Sequence, residues 1–231
     1  MHADALEKVP TETCRFKNIF RRGDEKELIP LLISPEGLSV LVIGGGKVAL
    51  RKCAHFEGAD ITVIAEETVP EIDNISSHII KKKTTPSEVY EMMGGFDIIV
   101  AATDDAAMNS EIRDEAVRRG LYVNSAHGGG NIVIPSVLKR ERYTVSVSTE
   151  GRLPVFPPFV IEELETFLDE RFDLMYDVLT ELRKMCAGKG TQPERSEFLR
   201  KAARDPEVNR LVRAGDKASA LERAKTLGVP T

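Results

Sequence analysis

Cysteine is scarce in this chain, and its three cysteines are far apart. Cys14, Cys53 and Cys186 form no CxxC pair within the 231 residues. Disulfide frameworks and structural zinc sites need more numerous or more closely spaced cysteines, so the sequence favours neither. Isolated thiols are typical of a reducing compartment, and we therefore expect a cytoplasmic protein.

A basic excess and long apolar runs are also missing. Lysine and arginine total 32 against 37 aspartate and glutamate residues, a net charge of -5. Non-specific nucleic-acid binders usually carry a basic excess, so we expect no nucleic-acid partner. No stretch approaches the roughly 18 apolar residues that span a bilayer. The N-terminal sequence MHADALEKVP has neither the basic nor the apolar segment of a signal peptide, so we expect no membrane partner.

The remaining composition suits a globular protein, with 42% hydrophobic and 30% charged residues. Short apolar runs at 38–43, 61–65 and 96–102 are typical of strands buried on both faces, and helical spacing separates them. This order predicts an α/β fold with a Rossmann-like, doubly wound parallel sheet. The predicted divisions are a leader at 1–27, the nucleotide-binding domain at 28–125, a small β-containing linking region at 126–156 and a helical C-terminal domain at 157–231. Within the linking region we predict strands at 131–138 and 143–148. The first helix of the C-terminal domain is predicted over 159–172.

A glycine-rich turn follows the first buried strand and opens a helix. Gly44-x-Gly46-x-x-Ala49 places one glycine at the tight turn and a second where a pyrophosphate can approach the backbone. The phosphates of a nucleotide bind well at the unpaired N–H groups of such a helix start. Glu66 and Glu67 end the second strand, where a carboxylate accepts from the ribose hydroxyls of NAD and repels the 2′-phosphate of NADP. The turn therefore predicts a dinucleotide site with NAD as cofactor.

Histidine supplies one candidate for chemistry. The four histidines form no HExxH motif, so we expect no preformed metal site. His127 lies just past the fifth predicted strand, beside Asn124 and Ser125, at the sheet edge where a nicotinamide would lie. A histidine there can act as a general base near neutral pH, and a loop histidine bonded to backbone is the alternative.

Three further features allow both a functional and a structural interpretation. Asp104 and Asp105 are an acid pair or the cap of the next helix. The glycine run 128–130 is a flexible loop or a place of close ligand approach. Ser148 and Thr149 bind a ligand carboxylate or form the turn before Gly151 and Pro154.

Several segments together resemble one family. LVIGGGKVALRK (41–52), FDIIVAATDDAAMNSEI (96–112) and VSVSTEGRLP (145–154) are similar to the precorrin-2 dehydrogenase / sirohydrochlorin ferrochelatase family, the NAD-binding module of siroheme synthases. The match runs over about 28–170. The resemblance implies NAD-dependent oxidation of precorrin-2, a tetrapyrrole, to sirohydrochlorin, with ferrous insertion in some members. It also implies a homodimer built through the region after the Rossmann unit.

The glycine turn and the resemblance together indicate site residues. The expected cofactor-binding residues are Gly44, Gly45, Gly46, Lys47, Val48, Glu66, Glu67 and Thr103. The expected substrate-binding residues are Asn124, Ser125, Ser148 and Thr149. Precorrin-2 carries eight carboxylates, so the sequence around its cleft should be basic; the basic residues of that region are Lys139, Arg140, Arg142 and Arg152.

Two positions depart from the family pattern. The family typically has an aspartate credited with catalysis where this chain has His127, and a glycine where it has Glu150. A neutral histidine can accept a proton but adds no negative charge. Our hypothesis is that His127 is the catalytic proton acceptor. We expect dehydrogenation to persist with histidine at this position and metal insertion to be the activity that is lost more readily. The alternatives are a non-catalytic NAD- or tetrapyrrole-binding regulator and a Rossmann dehydrogenase for another acidic small molecule.

Overall fold

The computed structural model of this protein describes residues 28–230. Residues 28–33 belong to a separate unit from residues 34–231 and form no helix or strand. The predicted leader at 1–27 lies outside the described residues.

A five-stranded parallel sheet forms the centre of the N-terminal half. Its strands are β1 (Ser39–Ile43), β2 (Asp60–Ala65), β3 (His78–Lys81), β4 (Ile98–Ala101) and β5 (Tyr122–Ser125). They lie in the order β3-β2-β1-β4-β5, and Val42 of β1 pairs with Val63 of β2 on one side and with Val100 of β4 on the other. The chain therefore changes direction across the sheet between β1 and β4, which is the switch point where such sheets bind ligands. The predicted doubly wound parallel fold is confirmed.

Helices cover both faces of this sheet because successive strand residues point to opposite sides. Val40 and Val42 pack with α1, while Leu41 and Ile43 pack with α2 and α3. All four side chains are at most 1% exposed, which explains the continuous apolar run in the sequence. The helices are α1 (Lys47–Ala54), α2 (Pro86–Met92) and α3 (Ala106–Arg118).

The start of α3 settles the role of one aspartate. The Asp105 carboxylate accepts hydrogen bonds from the backbone N–H groups of Ala107 and Met108, at 2.9 and 3.0 Å. These are two of the N–H groups that a helix leaves unpaired in its first turn. Asp105 is therefore the helix cap, and Asp104 lies exposed before it.

A two-stranded antiparallel sheet follows, formed by β6 (Ser136–Lys139) and β7 (Thr144–Val147). The strand predicted at 131–138 begins only at Ser136, because Asn131 forms hydrogen bonds to the edge of β5 instead. Its side chain accepts from the Val123 N–H at 2.7 Å and donates to the Leu121 carbonyl at 2.8 Å, so it bonds to the exposed side of β5. The strand predicted at 143–148 is confirmed within a residue at each end.

The helix predicted over 159–172 is wrong in its boundaries. The structure has α4 (Phe156–Phe167), a break, and then α5 (Glu170–Met185). Asp169 causes the break, because its carboxylate accepts from the Arg171 N–H and starts the new helix. On the other side of the break, Arg140 donates to the carbonyls of Glu165 and Leu168 at the end of α4.

The C-terminal helices form a hydrophobic core of their own. Val178, Leu182, Phe198 and Val208 are among its buried residues. Within residues 28–230, no helix has both the length and the apolar character required to cross a membrane. The helices after α5 are α6 (Gln192–Arg204), α7 (Pro206–Arg213) and α8 (Lys217–Lys225).

The two adjacent aspartates before α3 provide a matched test of the cap. We expect Asp105→Ala to lower the free energy of unfolding by about 1 kcal/mol, because two N–H groups lose their acceptor. Asp104→Ala should change it by less than about 0.5 kcal/mol. Urea unfolding followed by circular dichroism measures both. Equal losses in the two variants would contradict the assignment.

Candidate cofactor and substrate site

Two of the three glycines in the turn are required by packing within the protein. Gly44 has φ +116°, and a Cβ there would lie 2.3 Å from the carbonyl oxygen of Ala102. A Cβ on Gly45 would lie 2.0 Å from the carbonyl oxygen of Glu67. Neither position can hold a side chain unless the backbone shifts. The turn is therefore wedged between the chain leaving β4 and the chain leaving β2.

Gly46 faces open space. A Cβ added there would have no neighbour within 4 Å, and Gly46 precedes the first residue of α1. No side chain of the described residues caps this helix start, so the N–H groups of Lys47 and Val48 lack a side-chain acceptor. Open space in front of unpaired N–H groups is the arrangement that binds a phosphate. The residues present thus fit the pyrophosphate of a dinucleotide.

The acidic pair lies beside this turn. Glu66 and Glu67 directly follow β2 and are exposed. The Val69 N–H donates to the Gly45 carbonyl at 2.8 Å and ties their segment to the turn. Carboxylates in this position are placed to accept hydrogen bonds from the ribose next to the pyrophosphate.

A hydrogen-bond network joins Thr103 to His127 through a residue that the sequence did not reveal. Asn109 of α3 is fully buried. Its Oδ1 accepts from the Thr103 N–H at 3.1 Å and from the Thr103 hydroxyl at 2.8 Å, and its Nδ2 donates to the Thr103 carbonyl at 2.8 Å. The same Nδ2 lies 2.8 Å from Nδ1 of His127. The signal for Asn109 was its spacing with Ile112 and Ala116, which places a polar residue on the buried face of α3.

The loop after His127 is held by contacts within the protein. Gly129 has φ +82°, and a Cβ there would lie 2.9 Å from Nη1 of Arg113. A Cβ on Gly130 would lie 2.2 Å from the Val123 carbonyl oxygen. Arg113 also donates to the Gly128 carbonyl at 3.3 Å. The backbone of β5 therefore leaves no room for a side chain at Gly130, and the positive φ favours glycine at 129.

Asn124 and Ser125 place unpaired oxygen atoms at the end of β5. Their exposed fractions are only 6% and 7%. Asn124 Nδ2 donates to the Ile132 carbonyl at 3.1 Å, but its Oδ1 and the Ser125 hydroxyl have no hydrogen-bond partner among the described residues. Buried polar atoms are normally paired, so these two are suited to a ligand.

Ser148 and Thr149 form the turn that follows β7. The Ser148 hydroxyl accepts from the Glu150 N–H at 2.9 Å, and the Thr149 hydroxyl accepts from the Leu153 N–H at 3.1 Å. Glu150 has φ +56°, a conformation that favours glycine. The described hydrogen bonds do not bring Ser148 or Thr149 to His127.

The basic residues of this region are largely engaged within the chain. Arg140 binds the carbonyls at the end of α4, and Lys139 is exposed. Arg142 lies 3.2 Å from Asp177, and Arg152 lies 2.6 Å from Glu150. Residues 28–230 contain no group of three His, Cys, Asp or Glu side chains placed to hold a metal ion.

Comparison with known proteins relates this site to one family. A family model with the description "Putative NAD(P)-binding" matches residues 31–136. The precorrin-2 dehydrogenase of Bacillus subtilis (strain 168) is 36% identical over 162 residues, which are 68% of this chain and 99% of that protein. A siroheme synthase of Methylococcus capsulatus (strain ATCC 33009 / NCIMB 11132 / Bath) is 31% identical over 68% of this chain but only 34% of its own length.

A solved structure agrees with the sequence relatives. The structure of SirC, precorrin-2 dehydrogenase, superimposes with a TM-score of 0.65 at 27% identity and covers 86% of this chain and 100% of that one. An identity of 36% over nearly the whole length of a relative, together with the same fold, is stronger evidence of family membership than the glycine turn alone. This chain belongs to the precorrin-2 dehydrogenase family, and it has an NAD(P)-binding domain.

Proposed function

We propose that this chain oxidises precorrin-2 to sirohydrochlorin with NAD as the electron acceptor. One observation carries the proposal: the structure brings the open helix start at Gly46, the acidic pair Glu66-Glu67 and the Asn109–His127 network to the carboxyl edge of a single sheet. That edge is where doubly wound sheets bind dinucleotides and their substrates.

The residues around the glycine turn would bind the cofactor. The N–H groups of Lys47 and Val48 would hold the pyrophosphate, and Glu66 or Glu67 would accept from the ribose hydroxyls. When bound, the nicotinamide supplies the acceptor for a hydride. A carboxylate at this position disfavours a 2′-phosphate, which supports NAD over NADP.

The residues after β5 would bind the substrate. The Asn124 Oδ1 and the Ser125 hydroxyl are buried at the end of β5 without a hydrogen-bond partner among the described residues, and the exposed His127 follows them. A tetrapyrrole placed there would meet the cofactor directly. The roles of Ser148 and Thr149 in substrate binding remain a prediction, because their described hydrogen bonds serve the turn.

We also propose a homodimer formed through the region around α4. This helix packs on β6 and β7, yet it leaves large apolar side chains exposed. Phe159 is 54% exposed and Phe167 is 58% exposed, and Val155 just before the helix is 73% exposed. Grouped apolar side chains of this size are typical of a protein interface.

Both described cysteines, Cys53 and Cys186, are free thiols, which supports a cytoplasmic location.

An anaerobic assay tests the proposed reaction. We expect purified protein, precorrin-2 and NAD to yield sirohydrochlorin and NADH in equal amounts, and NADP to support a lower kcat/KM. Changing Glu66 and Glu67 together to glutamine should narrow the preference for NAD, because the charge that repels the 2′-phosphate is lost. If NAD bound without any sirohydrochlorin being formed, the regulator alternative would replace the enzyme.

The glycine turn gives a matched pair of variants for cofactor binding. We expect Gly46→Ala to weaken NAD binding at least about tenfold with little loss of stability, because its methyl group enters the space for the phosphates. Gly45→Ala should instead lower the melting temperature, since its Cβ meets the Glu67 carbonyl. Calorimetric titration and thermal unfolding separate the two effects. Unchanged NAD affinity in Gly46→Ala would contradict the pyrophosphate site.

Light scattering after size-exclusion chromatography tests the dimer. We expect the wild-type chain to elute as a dimer and Phe159→Glu to raise the dimer dissociation constant at least about tenfold, because a charge would be buried in an apolar interface. Val117→Glu is the control, since Val117 is an exposed apolar residue on α3. A monomeric wild-type chain, or equal dissociation in both variants, would refute the interface.

A further inference from the structure

We propose that Asn109 is a positioning residue that makes Nδ1 of His127 a hydrogen-bond acceptor, so that the neutral imidazole carries its proton on Nε2 and presents a hydrogen-bond donor to the substrate. The substrate part of this inference rests on the proposed function. The positioning part rests on the network around Asn109 alone.

The orientation of the Asn109 amide is fixed by backbone groups. Its Oδ1 faces the Thr103 N–H and its Nδ2 faces the Thr103 carbonyl, at 3.1 and 2.8 Å. A backbone N–H can only donate, and a carbonyl can only accept. Turning the amide over would place its NH2 group against the Thr103 N–H and its oxygen against the Thr103 carbonyl. Asn109 is fully buried, so no water could relieve either mismatch. The Thr103 hydroxyl, 2.8 Å from Oδ1, is compatible with this orientation.

This orientation determines where the His127 proton lies. The atom 2.8 Å from Nδ1 of His127 is the NH2 nitrogen of Asn109, which is only a donor. Nδ1 must therefore accept that hydrogen bond with its lone pair. In a neutral imidazole the other nitrogen then carries the hydrogen, which places the proton of His127 on Nε2.

The position of His127 is fixed as well as its tautomer. Asn109 and Arg113 are four residues apart and so lie on the same face of α3. Asn109 binds the imidazole, while Arg113 donates to the Gly128 carbonyl immediately after it at 3.3 Å. The Arg113 side chain is itself held by Asp114, whose carboxylate lies 2.8 Å from Nε. One helix thus holds both the ring and the backbone of this loop.

The arrangement changes the role that the sequence suggested for His127. A proton acceptor needs an available lone pair, but Nδ1 is occupied by Asn109 and Nε2 already carries a hydrogen. An Nε2–H group is suited to donate a hydrogen bond to a carboxylate or to an unprotonated, imine-type ring nitrogen. Precorrin-2 offers the first of these many times over. We therefore assign His127 to binding and orienting the tetrapyrrole rather than to removing its proton.

Nitrogen NMR of the wild-type protein tests the tautomer without any substrate. Long-range proton–nitrogen correlations in histidine-labelled protein distinguish the Nε2–H from the Nδ1–H form, and the spectrum of His127→Gln identifies the signals of His127. We expect the Nε2–H pattern. Asn109→Asp should move His127 towards the Nδ1–H pattern, because a carboxylate can only accept. A wild-type Nδ1–H pattern would overturn the proposal even if Asn109→Asp fails to fold.

A matched pair at position 127 tests the donor role. His127→Gln can accept from Asn109 and still present an NH2 group, whereas His127→Glu presents only an acceptor. We expect the dissociation constant of sirohydrochlorin, followed by absorbance, to be about tenfold higher for His127→Glu than for His127→Gln. The kcat/KM for precorrin-2 should follow the same order. Faster turnover in His127→Glu than in His127→Gln would show a proton acceptor and refute the donor role.

Failure of this proposal and failure of the proposed function are distinguishable. If the wild-type protein produced no sirohydrochlorin while His127 kept the Nε2–H pattern, the enzyme assignment would fall and the positioning role of Asn109 would stand. If turnover were present with the Nδ1–H pattern, the enzyme assignment would stand and the positioning role would fall.

Discussion

The parallel pairing of β1 with both β2 and β4 determines how the chain leaves the sheet at the candidate site. The ladder continues past the strand ends, since the Gly44 N–H donates to the Ile64 carbonyl and the Ala102 N–H donates to the Ile43 carbonyl. Three chain segments must therefore leave the sheet side by side. Gly44 and Gly45 have no room for side chains because of this crowding. Gly46, beyond this crowding, faces open space.

The sheet could be predicted from the sequence because its strands are buried on both faces and so appear as continuous apolar runs. The elements after β5 were harder to place because hydrogen bonds between residues distant in sequence contribute to their boundaries. Asn131 bonds to β5 with its side chain and so delays β6. The break after α4 is set by the Asp169 cap, and Arg140, which lies just after β6, also donates to the Leu168 carbonyl. Local periodicity contains neither interaction.

The same distinction applies to the site. The glycine turn and the acidic pair are close in sequence to the strands that place them, so spacing alone located them. Asn109 acts on His127 across 18 residues of sequence and a helix-to-loop contact. The prediction that His127 accepts a proton considered the imidazole alone, whereas we propose that a buried amide determines which nitrogen carries its hydrogen. The sequence made the residue a candidate, and only the tertiary contact shows that its Nδ1 faces Asn109.

The Asn109 amide has a wider consequence for how this site can vary. The amide hydrogen of Asn109 that faces the loop requires only that residue 127 provide a hydrogen-bond acceptor. Histidine and aspartate side chains can both provide such an acceptor. Exchanging them would replace a neutral hydrogen-bond donor on the side that faces the ligand with a negatively charged acceptor. A single substitution on a constant scaffold can therefore separate members of one family in how they treat the same tetrapyrrole.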